Sequence, residues 1–147
     1  MSSFGPHVAS GIITGVMGIF GIFATNCQVE YMPLYALPFI CGVTGALTPD
    51  MDIKSKSSQC MYILYTGFAL YLYYIDKLDL AFYTLLYAII PQFFGHRGFI
   101  HSFIFGLLSA IGLFIICYYN TSNTLFSLIS SGTYLIGFIM HLALDNI

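Results

Sequence analysis

Charge is what this 147-residue chain lacks most. Only 7% of its residues are charged, with four Lys and Arg against six Asp and Glu, for a net charge of -2. A soluble domain carries about 25% charged residues. So few cannot cover a water-facing surface, and there is no basic tract of the kind that holds nucleic acid. Tryptophan is absent as well. No Lys or Arg precedes the first apolar run, so the positive region of a secretory signal is missing and the run reads as a retained span. The four cysteines, Cys27, Cys41, Cys60 and Cys117, form no C-x-x-C pair. This excludes zinc-ribbon spacing and argues against a disulfide framework. They read as packing residues of a membrane core.

What the chain does have is hydrophobicity, 59% of its residues. Long apolar runs of this kind indicate an integral membrane protein. Residues 1–147 are read as one multi-pass domain, an all-α bundle of about six transmembrane helices in contact with the lipid bilayer. The spans are placed at about 8–25, 31–47, 60–75, 79–94, 99–119 and 125 to the end. The first carries Gly11, Gly15, Gly18 and Gly21, a spacing that lets helices approach closely in lipid. The second contains Pro33 and Pro38, tolerated where neighbours satisfy the freed backbone groups. The stretch from Cys60 to Phe94 is too long for one span. Its charged IDKLD segment at 75–79 predicts a hairpin of two short spans, with one tilted helix plus a surface helix as the alternative. Tyr31, Tyr118 and Tyr119 at span ends fit an interfacial aromatic belt. Lys54, Lys56 and Arg97 fall on one face and Lys77 on the other, which predicts cytoplasmic termini.

On that topology the unusual polar residues fall into four patches on one membrane face: His7; Asp50 and Asp52; His96, Arg97 and His101; and His141 with Asp145. In HLALD the His and Asp are four apart and share a helix face. In TPDMD, Thr48 precedes proline and is biased toward extended structure, which would point both aspartates the same way. In HRGFIH, glycines at 95 and 98 place His96 on an irregular loop and His101 in the first turn of the fifth helix. Each patch has a bland reading: an interfacial His7, a solvated loop at 50–52, a frayed terminus at 141–145. Together they are less innocent, because ionisable groups at membrane depth cost about 2.5–3.5 kcal/mol for Asp.

Mixed imidazole and carboxylate donors suit zinc, manganese or iron. The assignment is His7, Asp52, His96, His101, His141 and Asp145 as ligands of one or two divalent ions, zinc or manganese. Asp50 and Arg97 are the catalytic candidates: a carboxylate not used as a ligand could act as general base, and Arg97 could clamp an anionic oxygen bidentately. Such a centre activates water for hydrolysis. Two other classes compete: an ion- or proton-conducting protein, and a non-enzymatic membrane protein with a structural metal. Ionisable groups at mid-span would favour the first; a fully protein-filled coordination sphere would favour the second.

The four motifs H-V-A-S-G, P-D-M-D, H-R-G-F-I-H-S and H-L-A-L-D occur in this order from His7 to Asp145. In this the chain resembles the LexA-regulated, membrane-bound metal-dependent hydrolases, the YdjM-like bacterial inner-membrane proteins. The resemblance implies an inner-membrane metal-dependent hydrolase with its polar positions at His7, Asp50, Asp52, His96, Arg97, His101, His141 and Asp145. It carries a reaction class and no substrate; a membrane-resident site suggests an amphiphilic or anionic molecule such as a phosphoester. The chain departs from the pattern at Ile53, where relatives often have His, and at Ile100, where they often have Thr. It also stops two residues after Asp145, as a short or truncated form would.

Overall fold

The computed structural model describes residues 4–28, 32–52, 56–93 and 98–145, and the side chains of Met32, Pro33, Asp52 and Gln92 lie outside that description. Among the described residues, six α-helices follow one another: α1 (Phe4–Ala24), α2 (Leu37–Leu47), α3 (Lys56–Tyr74), α4 (Leu78–Ile89), α5 (Phe103–Thr121) and α6 (Thr124–Asp145). Four 3₁₀ segments, Met32–Ala36, Thr48–Asp52, Ile90–Phe93 and Phe99–His101, extend or link them. Helices α1, α5 and α6 are long and apolar enough to cross a membrane. At 11 and 12 residues, α2 and α4 alone reach only about 16–18 Å, short of a hydrocarbon core of ~30 Å.

The second segment, expected as one span over 31–47, is a broken helix. Pro38 sits in the first turn of α2, where its missing N–H costs nothing, and 3₁₀ turns flank the helix on both sides. The segments expected as a hairpin of two short spans do form a helical hairpin, but neither α3 nor α4 is among the described helices long and apolar enough to cross a membrane. Helix α3 ends at Tyr74, and Asp76 takes the left-handed conformation (φ 58°) while Lys77 N–H donates back to Leu72 O at 2.9 Å. Helix α1 ends the same way, with Asn26 at φ 49° and Cys27 N–H on Ile22 O. Both are Schellman-type stops using residues that tolerate that conformation.

The exterior is apolar and the interior partly polar. Phe20, Ile63, Phe93 and Tyr119 are 68%, 73%, 81% and 87% exposed, whereas His7, Thr14, Thr48, Ser127, Ser130 and His141 are buried. In water this inversion would be untenable; in lipid it is the expected pattern. Association then relies on close packing and interhelical hydrogen bonds.

Both devices are present. Helix α2 is the central element, clasped by α1 and α6. A Cβ at Gly15 would stand 2.7 Å from Phe39 O, and one at Gly11 would stand 2.9 Å from Val43 Cα. A Cβ at Gly137 would collide with Gly42 O, and one at Gly45 with Tyr134 O. One of the ties between the α3–α4 hairpin and the rest is Tyr87, whose hydroxyl meets Tyr134 Oη at 2.8 Å and Ser109 Oγ at 3.3 Å. Tyr87→Phe is expected to lower stability by about 0.6–1.7 kcal/mol, the range for interhelical hydrogen bonds in membranes. Thermal unfolding in detergent checks this; an unchanged midpoint would show that the hairpin does not depend on that contact.

Candidate metal centre

Helix packing brings four separate segments to one end of the bundle. Helices α2 and α6 run in parallel, and the glycine contact pairs Gly42 with Gly137. Keeping that offset of 95 positions, one turn further on His141 Nδ1 meets Ala46 O at 2.6 Å. One turn beyond that, the same register brings Asp50 and Asp145 level. Helix α1 runs antiparallel to α2 through Gly11, Gly15 and Gly18, so its first turns, with His7, return to the same end. The 3₁₀ turn Phe99–His101 brings in His101, followed by extended Ser102, whose Oγ caps α5 by accepting Phe105 N–H at 3.1 Å.

The centre is tight. One donor atom each from Asp50, His101, His141 and Asp145 lies within 4.8 Å of all the others. His141 Nε2 stands 3.3 Å from Asp145 Oδ2 and 3.6 Å from Asp50 Oδ1, and His101 Nε2 stands 3.5 Å from Asp145 Oδ2. His7 Nε2 is 3.2 Å from Asp145 Oδ1, the other oxygen of that carboxylate. Its ring stacks on His141 with centroids 4.0 Å apart, and His101 meets His141 edge-on at 5.7 Å. His7 and His141 are buried, as is Asp50; Asp145 and His101 are the partly open members. Leu47, Met51, Met61 and Ile100 line this end of the core.

The tautomer of His141 follows from its neighbours. A carbonyl only accepts, so Nδ1 carries the proton toward Ala46 O, one of the last carbonyls of α2. In the neutral ring Nε2 is then a lone pair, buried without a hydrogen-bond donor among the described residues and facing two carboxylates. Acceptors aimed at one another at this depth call for positive charge between them, either a proton that makes His141 an imidazolium or a bound metal cation. The donor set of two imidazoles and two carboxylates fits a divalent transition metal.

Several sequence-based placements change. Thr48 is helical (φ -58°, ψ -42°) and opens the 3₁₀ turn Thr48–Asp52, so the extended geometry expected for TPDMD does not occur. Despite Pro49, Thr48 continues the α2 turn, with its hydroxyl donating to Thr44 O at 2.7 Å. Asp50 belongs to the inner group, whereas the side chain of Asp52 lies outside the described residues. His101 precedes α5 in its own 3₁₀ turn and is not in the helix's first turn, because Ser102 is the cap. His96 and Arg97 lie outside the described residues. His7 stands inside α1, beside the group of four.

Two contributors were not visible in the sequence reading. Ser57 Oγ donates to Asp50 Oδ2 at 3.1 Å, and the Ala46 carbonyl orients His141. Ser57 lies in the polar TPDMDIKSKSSQ stretch, seven residues from its partner, and no spacing rule singles it out. A backbone carbonyl leaves no trace in a sequence at all.

The model of the YdjM inner membrane protein family matches residues 1–147, the whole chain. This chain belongs to the YdjM inner membrane protein family. No curated protein and no solved structure matches it. As a YdjM-family member with three helices apolar enough to span, it is a membrane protein, and among the described residues the group of side chains that could hold a metal ion is Asp50, His101, His141 and Asp145.

Proposed function

We propose that the protein is a membrane-embedded hydrolase that uses a divalent metal held by Asp50, His101, His141 and Asp145. The observation that carries this is the His141 ring, fixed by Ala46 so that its Nε2 lone pair faces two carboxylates. A divalent ion held by these residues would lower the pKa of a water at the site and so supply hydroxide. The chain's own residues set the rest. Ser57 holds one oxygen of Asp50, and Ala46 holds the His141 ring, the outer support that metal ligands ordinarily have. Because His101 and Asp145 are the open members, substrate approaches along their edge.

Asp50 stands among the ligands here, so the role of general base passes to a residue outside the group of four, with Asp52 as the candidate. Arg97 and His96 remain the proposed contact for an anionic oxygen and a proposed further ligand. The substrate class is an amphiphilic phosphoester, and the metal is zinc or manganese. With four protein donors, zinc would have a full tetrahedral sphere, while manganese keeps positions open for water. That same count supports a second reading, in which zinc staples the helix ends without catalysis. A conduction pathway is less well supported: among the described residues, His, Asp, Lys and Arg side chains lie at helix ends and turns, with none in the middle of a helix.

We further propose six crossings with both termini cytoplasmic. His7 and Asp145 meet at one end of the bundle, and Lys77 lies in the turn at the far end of α3 from Lys56.

The test is metal analysis of detergent-purified protein beside hydrolysis of phosphoester lipids in mixed micelles. Stoichiometric manganese or zinc with turnover is expected, both lost in Asp50→Asn and His101→Ala. Bound zinc without turnover favours the staple. No bound divalent ion, with both variants like wild type, refutes both readings.

A further inference from the structure

Asp50, His141 and Asp145 each have an anchor on the side pointing away from the centre. Asp50 presents Oδ1 inward and has Oδ2 held by Ser57. His141 presents Nε2 inward and has Nδ1 held by Ala46 O. Asp145 presents Oδ2 to His101 and His141, and its outer oxygen, Oδ1, meets His7 Nε2 at 3.2 Å. We infer that His7 is a positioning residue, whose Nε2–H fixes the Asp145 carboxylate, and not a ligand of the metal. This rests on the metal-centre reading above.

Three observations support it. His7 is outside the set of donors that lie within 4.8 Å of one another, although it is buried and in contact with two of the four. Its ring lies flat against His141, at 4.0 Å and 22°, a face-on packing that fixes the plane of the true ligand. Its Nδ1 is buried with no hydrogen-bond partner among the described residues. That fits a ring whose single proton is on Nε2 toward Asp145, since a buried acceptor is tolerated without a partner more readily than a buried N–H.

Asp145 has particular need of an anchor. It is the last residue of α6, where the helix dipole presents its negative end and disfavours a carboxylate. It is also the most exposed ligand, with 15% of its side chain accessible. A carboxylate there would swing outward unless held, and α1 returns His7 to hold it. The sequence assignment of His7 as a ligand therefore becomes an outer-support role one step from the metal.

The experiment is cobalt(II) titration of the full-length protein in detergent, for wild type, His7→Ala and His7→Gln. Affinity by chelator competition, ions bound per chain and the visible ligand-field spectrum are read for each. His7→Ala should keep the wild-type stoichiometry and band positions while binding 10- to 100-fold more weakly, the usual cost of losing an outer partner. His7→Gln, whose amide N–H can replace Nε2–H, should recover most of that loss, and it keeps the test decisive where the alanine variant does not fold. Loss of one ion per chain in both variants, or band shifts showing a lost nitrogen donor, would overturn the inference while leaving the metal centre standing. Failure of the wild type itself to bind cobalt would instead overturn the metal reading, and this inference with it.

Discussion

Gly137→Ala is expected to destabilise the protein by about 3 kcal/mol, the upper part of the range for overpacking a tight interior. The added methyl would meet Gly42 O and come within 3.1 Å of Ala46 N, both backbone atoms of the central helix that no rotamer change can move aside. Helices α2 and α6 must separate, and the displacement is carried one turn along to His141 and Ala46. Metal affinity should therefore fall together with stability. Gly132→Ala in the same helix is the control, since a Cβ there meets nothing within 4 Å. It should be neutral or gain up to ~1 kcal/mol from better helix propensity. Without tryptophan, unfolding is best followed by a thiol-reactive dye, because Cys27, Cys41 and Cys117 are free and buried. Equal melting temperatures for the two alanine variants would show that the glycine contact does not set the helix spacing.

The glycines show where sequence reading ended. Gly11, Gly15 and Gly18 announce close packing by spacing alone, and α1 indeed lies against α2 through them. Spacing does not say which partner they meet, and the partner determines the site. The contact of Gly42 with Gly137 sets the register that places Ala46 beside His141, and this depends on two helices 95 positions apart. The grouping of His7, Asp50, His101, His141 and Asp145 at one end was legible because alternating spans sort loops onto faces. Which of them form the inner group was not legible, since all are polar residues at span ends and differ only in a few ångströms. The TPDMD geometry failed for a local reason. The pre-proline bias toward extended structure is weak, and here it was outweighed by continuation of the α2 turn through Thr48.

His141→Phe is expected to abolish metal binding at the group of four, weakening it well beyond the 10- to 100-fold typical of an outer partner. The phenyl ring can keep the stack on His7, but it is larger than the imidazole and adds an overpacking cost of about 1–3 kcal/mol in this fully buried position. What goes is Nε2, the atom nearest both Asp50 and Asp145, together with the Nδ1–H that satisfies Ala46 O. Losing that hydrogen bond should cost about 0.5–1.5 kcal/mol. His141→Asn separates the two losses. Its amide N–H sits where Nδ1 was and can still reach Ala46 O, but nothing replaces Nε2. The asparagine variant should therefore melt nearer to metal-free wild type than the phenylalanine variant does, yet bind metal no better. If His141→Phe binds cobalt within tenfold of wild type, His141 is not a ligand. The lone pair between two carboxylates would then need another explanation, a protonated imidazole pairing with Asp50 and Asp145 in a purely structural ion cluster.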